Sequence, residues 1–112
     1  MLVAWTTVAS RTEADRLGQG AVAARLAACA QVEGPVFSHY IWHGKQERTE
    51  EYRICFKCLS ANASELESWV LSHHPYETPE WIAVAAEHVG EKYLSWAEAN
   101  STSRPFPTSN QP

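Results

Sequence analysis

The distribution of apolar and polar residues divides the chain into segments of different period. Leu2 to Val8 is an apolar run bounded by Ala9-Ser10, and it predicts a buried strand. Ser10 and Glu13 follow as an S-x-x-E capping box, which satisfies orphan amide donors at a helix start. Ala14, Leu17, Ala21, Ala24 and Ala28 then recur at helical spacing, with Arg16, Gln19 and Ala23 opposite. Gly18 and Gly20 each weaken that helix by about 1 kcal/mol relative to alanine. Close packing of small residues against a sheet accounts for them.

From Cys29 to Leu59 the pattern becomes β, a long ribbon with a polar turn around Gly44-Lys45-Gln46-Glu47. On the returning strand Tyr52, Ile54, Phe56 and Cys58 share one face and Arg53, Cys55 and Lys57 the other, so one face is buried and one is wet. On the outgoing strand Phe37, His39 and Ile41 lie opposite Tyr40 and Trp42. A strand with large groups on both faces points to contact with another subunit. Asn62 and Glu65 give a second capping signal, followed by Leu66, Trp69, Val70 and His73 at i, i+3, i+4 and i+7. Trp81 to Ala86 reads as the last strand and Glu91 to Ala99 as a short terminal helix.

This order predicts an α+β, ferredoxin-like domain over residues 1–100: a split βαβ (βαββαβ) arrangement with helices on one face of an antiparallel sheet, and an added C-terminal helix. Residues 101–112 are rich in Ser, Thr, Pro, Asn and Gln and read as a disordered polar tail.

Composition narrows the function. With 112 residues, 45% hydrophobic and 20% charged, the chain suits one ordinary globular domain. Five tryptophans are many for that interior, so some are expected at a subunit interface. The net charge is -4 and no Lys/Arg cluster occurs, which argues against nucleic acid. The apolar runs are too short to span a bilayer, and Met1-Leu2-Val3-Ala4-Trp5 lacks the charged start of a signal peptide, so cytoplasmic residence is expected. Three cysteines are then expected as free thiols.

The densest chemistry lies in His73-His74-Pro75-Tyr76-Glu77-Thr78-Pro79-Glu80, where a helix gives way to a strand. Pro75 cannot continue a helix and disfavours the helical conformation at His74. The imidazoles, carboxylates and phenol are therefore held on a stiff connector, which suits a metal or small-ligand site and equally a rigid corner. His73 completes the apolar face of the second helix, and its simplest reading is a buried, hydrogen-bonded histidine. Imidazole is a common copper and zinc ligand, but a pair of histidines leaves a metal site incomplete. Glu77 and Glu80 read as a solvated corner or an intersubunit ion pair, or with Tyr76 as polar groups of a pocket. Cys55-Phe56-Lys57-Cys58 is formally C-x-x-C, but residues three apart on a strand point to opposite faces, so the sulfurs do not converge. Cys29 reads as a small buried hydrophobe. No nucleophile elbow, Walker loop, dinucleotide fingerprint or H-E-x-x-H occurs, and nothing in the sequence requires an enzyme.

The chain resembles the CutA family of divalent-ion (copper) tolerance proteins. The resemblance is carried by Arg25-Leu26-Ala27-Ala28-Cys29-Ala30, Tyr40-Ile41-Trp42-His43-Gly44-Lys45, Glu51-Tyr52, the His73 to Glu80 segment and Tyr93-Leu94-Ser95-Trp96, in order from Leu2 to about Asn100. It implies a ferredoxin-like homotrimer, similar in architecture to the PII signalling proteins, whose ribbon pairs with neighbouring subunits. It implies His73 and His74 as metal ligands, for copper or zinc, beside a first-strand thiol. Thr6 stands at that thiol position, which removes the soft ligand that favours copper. Cys29, Tyr76, Glu77 and Glu80 are the candidates for a ligand cleft between subunits. The expected function is binding, with no obligatory cofactor. The alternative is a trimeric scaffold that docks a protein partner without metal.

Overall fold

The computed structural model of the protein describes residues 1–102. The elements are β1 (Leu2–Val8), α1 (Arg11–Ala23), β2 (Cys29–Trp42), β3 (Lys45–Cys58), a 3-10 turn (Ser60–Asn62), α2 (Ala63–His73), β4 (Ile82–Ala85) and α3 (Glu91–Ala99). The four strands form one sheet in the order β2-β3-β1-β4, each neighbouring pair antiparallel. β1 and β2 therefore run parallel with β3 between them, the split βαβ topology that the element order implies.

The core lies between the sheet and its two long helices. Ala4 and Val8 of β1, with Ile54, Phe56 and Cys58 of β3, pack against Ala14, Leu17 and Ala21 of α1 and Leu66 and Val70 of α2. The period-2 pattern of β3 is realised, with Ile54, Phe56 and Cys58 buried and Arg53, Cys55 and Lys57 half-exposed on the other side. Among the described residues neither α1 nor α2 covers that other face, where Tyr93 of α3 (Glu91–Ala99) lies beside Cys29 and Cys55. Ile82 and Val84 of β4 are 53% and 46% exposed, and they pair with Trp5 and Val3 of β1. Beyond the core, β2 and β3 continue as a two-stranded arm, which gives the subunit extents of 51 × 31 × 25 Å.

Ser10 caps α1 as its spacing predicts, accepting a hydrogen bond from the Glu13 amide at 3.2 Å. The helix stops at Ala23, short of the expected Ala28. Arg25 adopts φ 61, and the amides of Leu26 and Arg25 turn back to the carbonyls of Ala21 and Val22. This is the Schellman closure, with arginine at the left-handed position glycine usually fills. The hairpin also differs from expectation. Its turn is His43-Gly44, both at positive φ (51 and 78), so strand pairing resumes at Lys45 instead of after Glu47. Asn62 makes no side-chain cap to α2. Its Nδ2 instead donates to the Thr102 carbonyl at 3.1 Å, while the Thr102 amide donates to Arg25 at 2.9 Å. The first residues of the expected polar tail, Ser101 and Thr102, are thus docked on the domain, and residues 103–112 lie outside the described residues. Among the described residues no helix is long and apolar enough to cross a membrane.

The helical glycines are explained by close approach. A Cβ on Gly18 would lie 3.3 Å from the Ala30 Cβ on the sheet, and one on Gly20 would lie 2.5 Å from the Trp69 ring of α2. Trp69 is itself held by the His73 ring stacked on it, so it has little room to retreat. Gly20→Ala is therefore expected to destabilise the domain by about 1–3 kcal/mol despite alanine's better helix propensity. Thermal unfolding checks this, and Trp69→Leu in the same chain should remove most of the penalty.

Candidate functional site

Pro75 ends α2, leaving His74 with extended backbone (ψ 138). The exposed carbonyl at the helix end does not go unpartnered: Arg16 of α1 donates to the His73 carbonyl at 3.0 Å and pairs with Glu13 at 2.6 Å. The connector is then drawn back over the end of β1 by one side chain. His74 places Nε2 2.9 Å from the Thr6 hydroxyl and 3.1 Å from the Thr7 carbonyl, and its Nδ1 lies 3.1 Å from the Tyr76 amide. The Thr6 hydroxyl donates its single proton to the Glu80 carbonyl at 2.6 Å, so towards His74 it acts as acceptor. Nε2 therefore carries the proton and Nδ1 accepts from the Tyr76 N–H. Burial pushes the His74 pKa below its ordinary value, and the neutral tautomer this network requires is favoured.

The two histidines do not converge. His73 is exposed, in contrast to its expected burial, with its ring stacked on Trp69 at a centroid distance of 4.3 Å. Its Nδ1 donates to the Trp69 carbonyl at 2.8 Å, which leaves the Nε2 lone pair available. Both nitrogens of His74 are occupied, and the Thr6 hydroxyl is engaged twice. Among the described residues no group of three His, Cys, Asp or Glu side chains could hold a metal ion. Within one subunit, the residues implied as a metal site do not fit a metal.

What the pin at His74 does build is a cleft. It sets the Tyr76 ring 5.0 Å from its own and directs the phenol to β3, where the hydroxyl donates to Glu51 Oε2 at 2.7 Å. Burial and the Glu51 carboxylate push the Tyr76 pKa well up, so the phenol stays protonated and keeps donating. Glu51 is only 8% exposed. The cavity in front of this pair has a volume of about 700 Å³. Thr7, Tyr40, Trp42, Thr49, Glu50 and Glu51 line it from the sheet and arm, Ala9 from the link between β1 and α1, and Pro75 to Thr78 with Glu80 from the connector.

Tyr76, Glu77 and Glu80, singled out from the sequence, are thus brought together on one wall. His73, His74 and Cys29 are not part of the lining. Cys29 opens β2 beside Tyr93 of α3, whose pKa is raised by burial and by that thiol. The opposite wall of Tyr40, Trp42 and Glu51 went unassigned as a site because it lies 25 or more residues from Tyr76. Its signal was present in the alternation of the ribbon, which sets Tyr40, Trp42, Thr49 and Glu51 on the side of the sheet away from the core.

The chain matches the family model described as CutA1 divalent ion tolerance protein over residues 2–100. It is 33% identical over 99 residues to the divalent-cation tolerance protein CutA of Escherichia coli, covering 88% of each chain. Among solved structures it is similar to CutA1 of a psychrotrophic Shewanella species, at 34% identity and a TM-score of 0.87 over 91% of this chain and 95% of that one. It is also similar to CutA of Synechococcus elongatus, at 33% identity and a TM-score of 0.86 over 90% and 89% of the two chains.

The His74 network sets a pH dependence. The native pKa lies below the ordinary 6.5, so the unfolded chain binds this proton more tightly than the folded one. The stabilisation is therefore complete above 6.5 and is lost as pH falls through 6.5 towards the lower native value. His74→Gln should cost about 1–3 kcal/mol at neutral pH and flatten the acid limb of stability. Denaturant melts of both proteins across that pH range measure it.

Proposed function

The chain belongs to the CutA1 divalent ion tolerance family, and from that premise we propose that it acts as a homotrimeric binding protein, contributing to divalent-cation tolerance by holding a ligand in the Tyr76–Glu51 cleft without turning it over. The observation that carries this reading is the partly buried Tyr76–Glu51 hydrogen bond at the wall of a cavity of about 700 Å³. That volume lies in the range of small-molecule sites. The lining holds carboxylates, phenols and threonine hydroxyls but no histidine or cysteine, so it lacks the paired nucleophile and imidazole base of acyl or thiol chemistry. A divalent ion bound through His73 would need its other ligands from a second subunit.

Assembly is supported by the uncovered side of the sheet. Ile82 and Val84 on that sheet, and Tyr40, Trp42, Ile41 and Phe37 on the arm, are all at least 40% exposed. Exposed large apolar side chains gathered in this way support a subunit interface. The strands β2 and β4 also lie at the two edges of the sheet, with backbone groups open to pairing. A neighbour's sheet and arm would cover both.

Light scattering on the purified chain should give the mass of three subunits, persisting at micromolar concentration, and Val84→Glu should lower it by placing an unpaired carboxylate in the interface. A stable wild-type monomer contradicts the assembly. A thermal-shift screen over metals, nucleotides and small metabolites tests the cleft. A bound ligand raises stability by RT ln(1 + [L]/Kd), about 2.7 kcal/mol at a hundredfold excess over Kd. A shift that Trp42→Ala abolishes supports the reading, and no shift with any ligand returns the protein to the scaffold alternative.

A further inference from the structure

The cleft has a definite electrostatic character. Glu50, Glu51, Glu77 and Glu80 line it, and no lysine, arginine or histidine does. Glu51 is the informative member. It is 8% exposed, its hydrogen bond comes from the neutral phenol of Tyr76, and among the described residues no basic side chain forms an ion pair with it. Only Oε2 takes that hydrogen bond, so the second oxygen of this largely buried carboxylate is left for a cation entering the cleft to pair with. The walls between the carboxylates are the rings of Tyr40, Trp42 and Tyr76, and aromatic faces attract organic cations and accept their methylene stems.

A bare metal ion matches this arrangement poorly. The carboxylates are spread around about 700 Å³ and do not gather as three groups able to hold one ion. An extended cation with several ammonium groups separated by methylenes matches both features, since each ammonium reaches a different carboxylate while the chain lies on the rings.

We infer that the cleft binds a linear aliphatic polyamine, held by Glu51 and the outer glutamates with Tyr40 and Trp42 as its aromatic wall. The inference rests on the proposal that this cleft is a binding site, and it names the ligand class.

The test is titration calorimetry of the full chain with spermidine, run beside magnesium, zinc and ATP. Saturable spermidine binding that weakens as salt rises is expected, because the contacts are charge-assisted and partly open to solvent. Glu77→Gln with Glu80→Gln, both at exposed positions, should weaken it about tenfold or more without risk to the fold. Glu51→Gln, which retains an acceptor for Tyr76, should weaken it further, and Trp42→Ala should do so while leaving the salt dependence in place. No saturable binding of spermidine, or binding unchanged in these variants, overturns the inference. If spermidine then fails while ATP or a metal binds in a manner sensitive to Trp42→Ala, the polyamine class is wrong and the cleft remains a site. If none of the probes binds, the polyamine inference falls, and the cleft itself falls only with a silent thermal-shift screen.

Discussion

The neutral imidazole of His74 joins two segments that are 68 residues apart, reaching Thr6 with its Nε2–H while its Nδ1 receives the Tyr76 amide. The segment after α2 has no strand or helix hydrogen bonds of its own until β4 begins at Ile82. Its path is therefore set by side-chain bonds: His74 to the end of β1, Thr6 to the Glu80 carbonyl, and Tyr76 to Glu51 on β3. Each depends on the others, because the Thr6 hydroxyl accepts from His74 only while its proton goes to Glu80. Remove the imidazole and the connector loses its register against the sheet, and with it the wall of the cleft. The same bonds use both ring nitrogens, so holding the connector and coordinating a metal are competing uses of one side chain.

A second constraint comes from layering. One side of the sheet is sealed by α1 and α2, and the other presents Trp5, Ile82, Val84 and the inner surface of the arm. The cleft opens on that second side, since Thr7, Tyr40, Trp42 and Glu51 all project there by strand alternation. The cleft and the part of the proposed interface formed by Ile82, Val84, Tyr40 and Trp42 therefore share one face of the subunit, while Phe37 and Ile41 project from the other side of the arm. In an assembled trimer the occupancy of the cleft and the packing of neighbours would act on the same residues.

The fold was largely legible because its signals are local and agree with one another. The Ser10–Glu13 box, the alternation from Tyr52 to Cys58 and the break at Pro75 each act within a few residues. What was not legible depended on contacts distant in sequence. The end of α1 turns on Arg25 taking a conformation usually left to glycine, and Asn62 is drawn from its expected cap to Thr102 across the domain. For the site, Tyr76, Glu77 and Glu80 stood out because two prolines hold them on a short connector. Their partners on the arm did not, since only the folding back of β3 brings Glu51 to Tyr76. The histidine pair was the least legible. Adjacent positions at a helix break say nothing about ring direction, and here one ring turns outward onto Trp69 while its neighbour turns under the connector.

The central claim is that His74 holds the site and does not occupy it. Long-range proton–nitrogen correlation spectra of the imidazoles, recorded with and without stoichiometric zinc, test this directly. The account predicts that His74 shows the neutral tautomer protonated at Nε2, stays neutral to below its ordinary titration range, and keeps its nitrogen shifts when zinc is added. A His74 nitrogen moving to the shift of a metal-bound imidazole would contradict it.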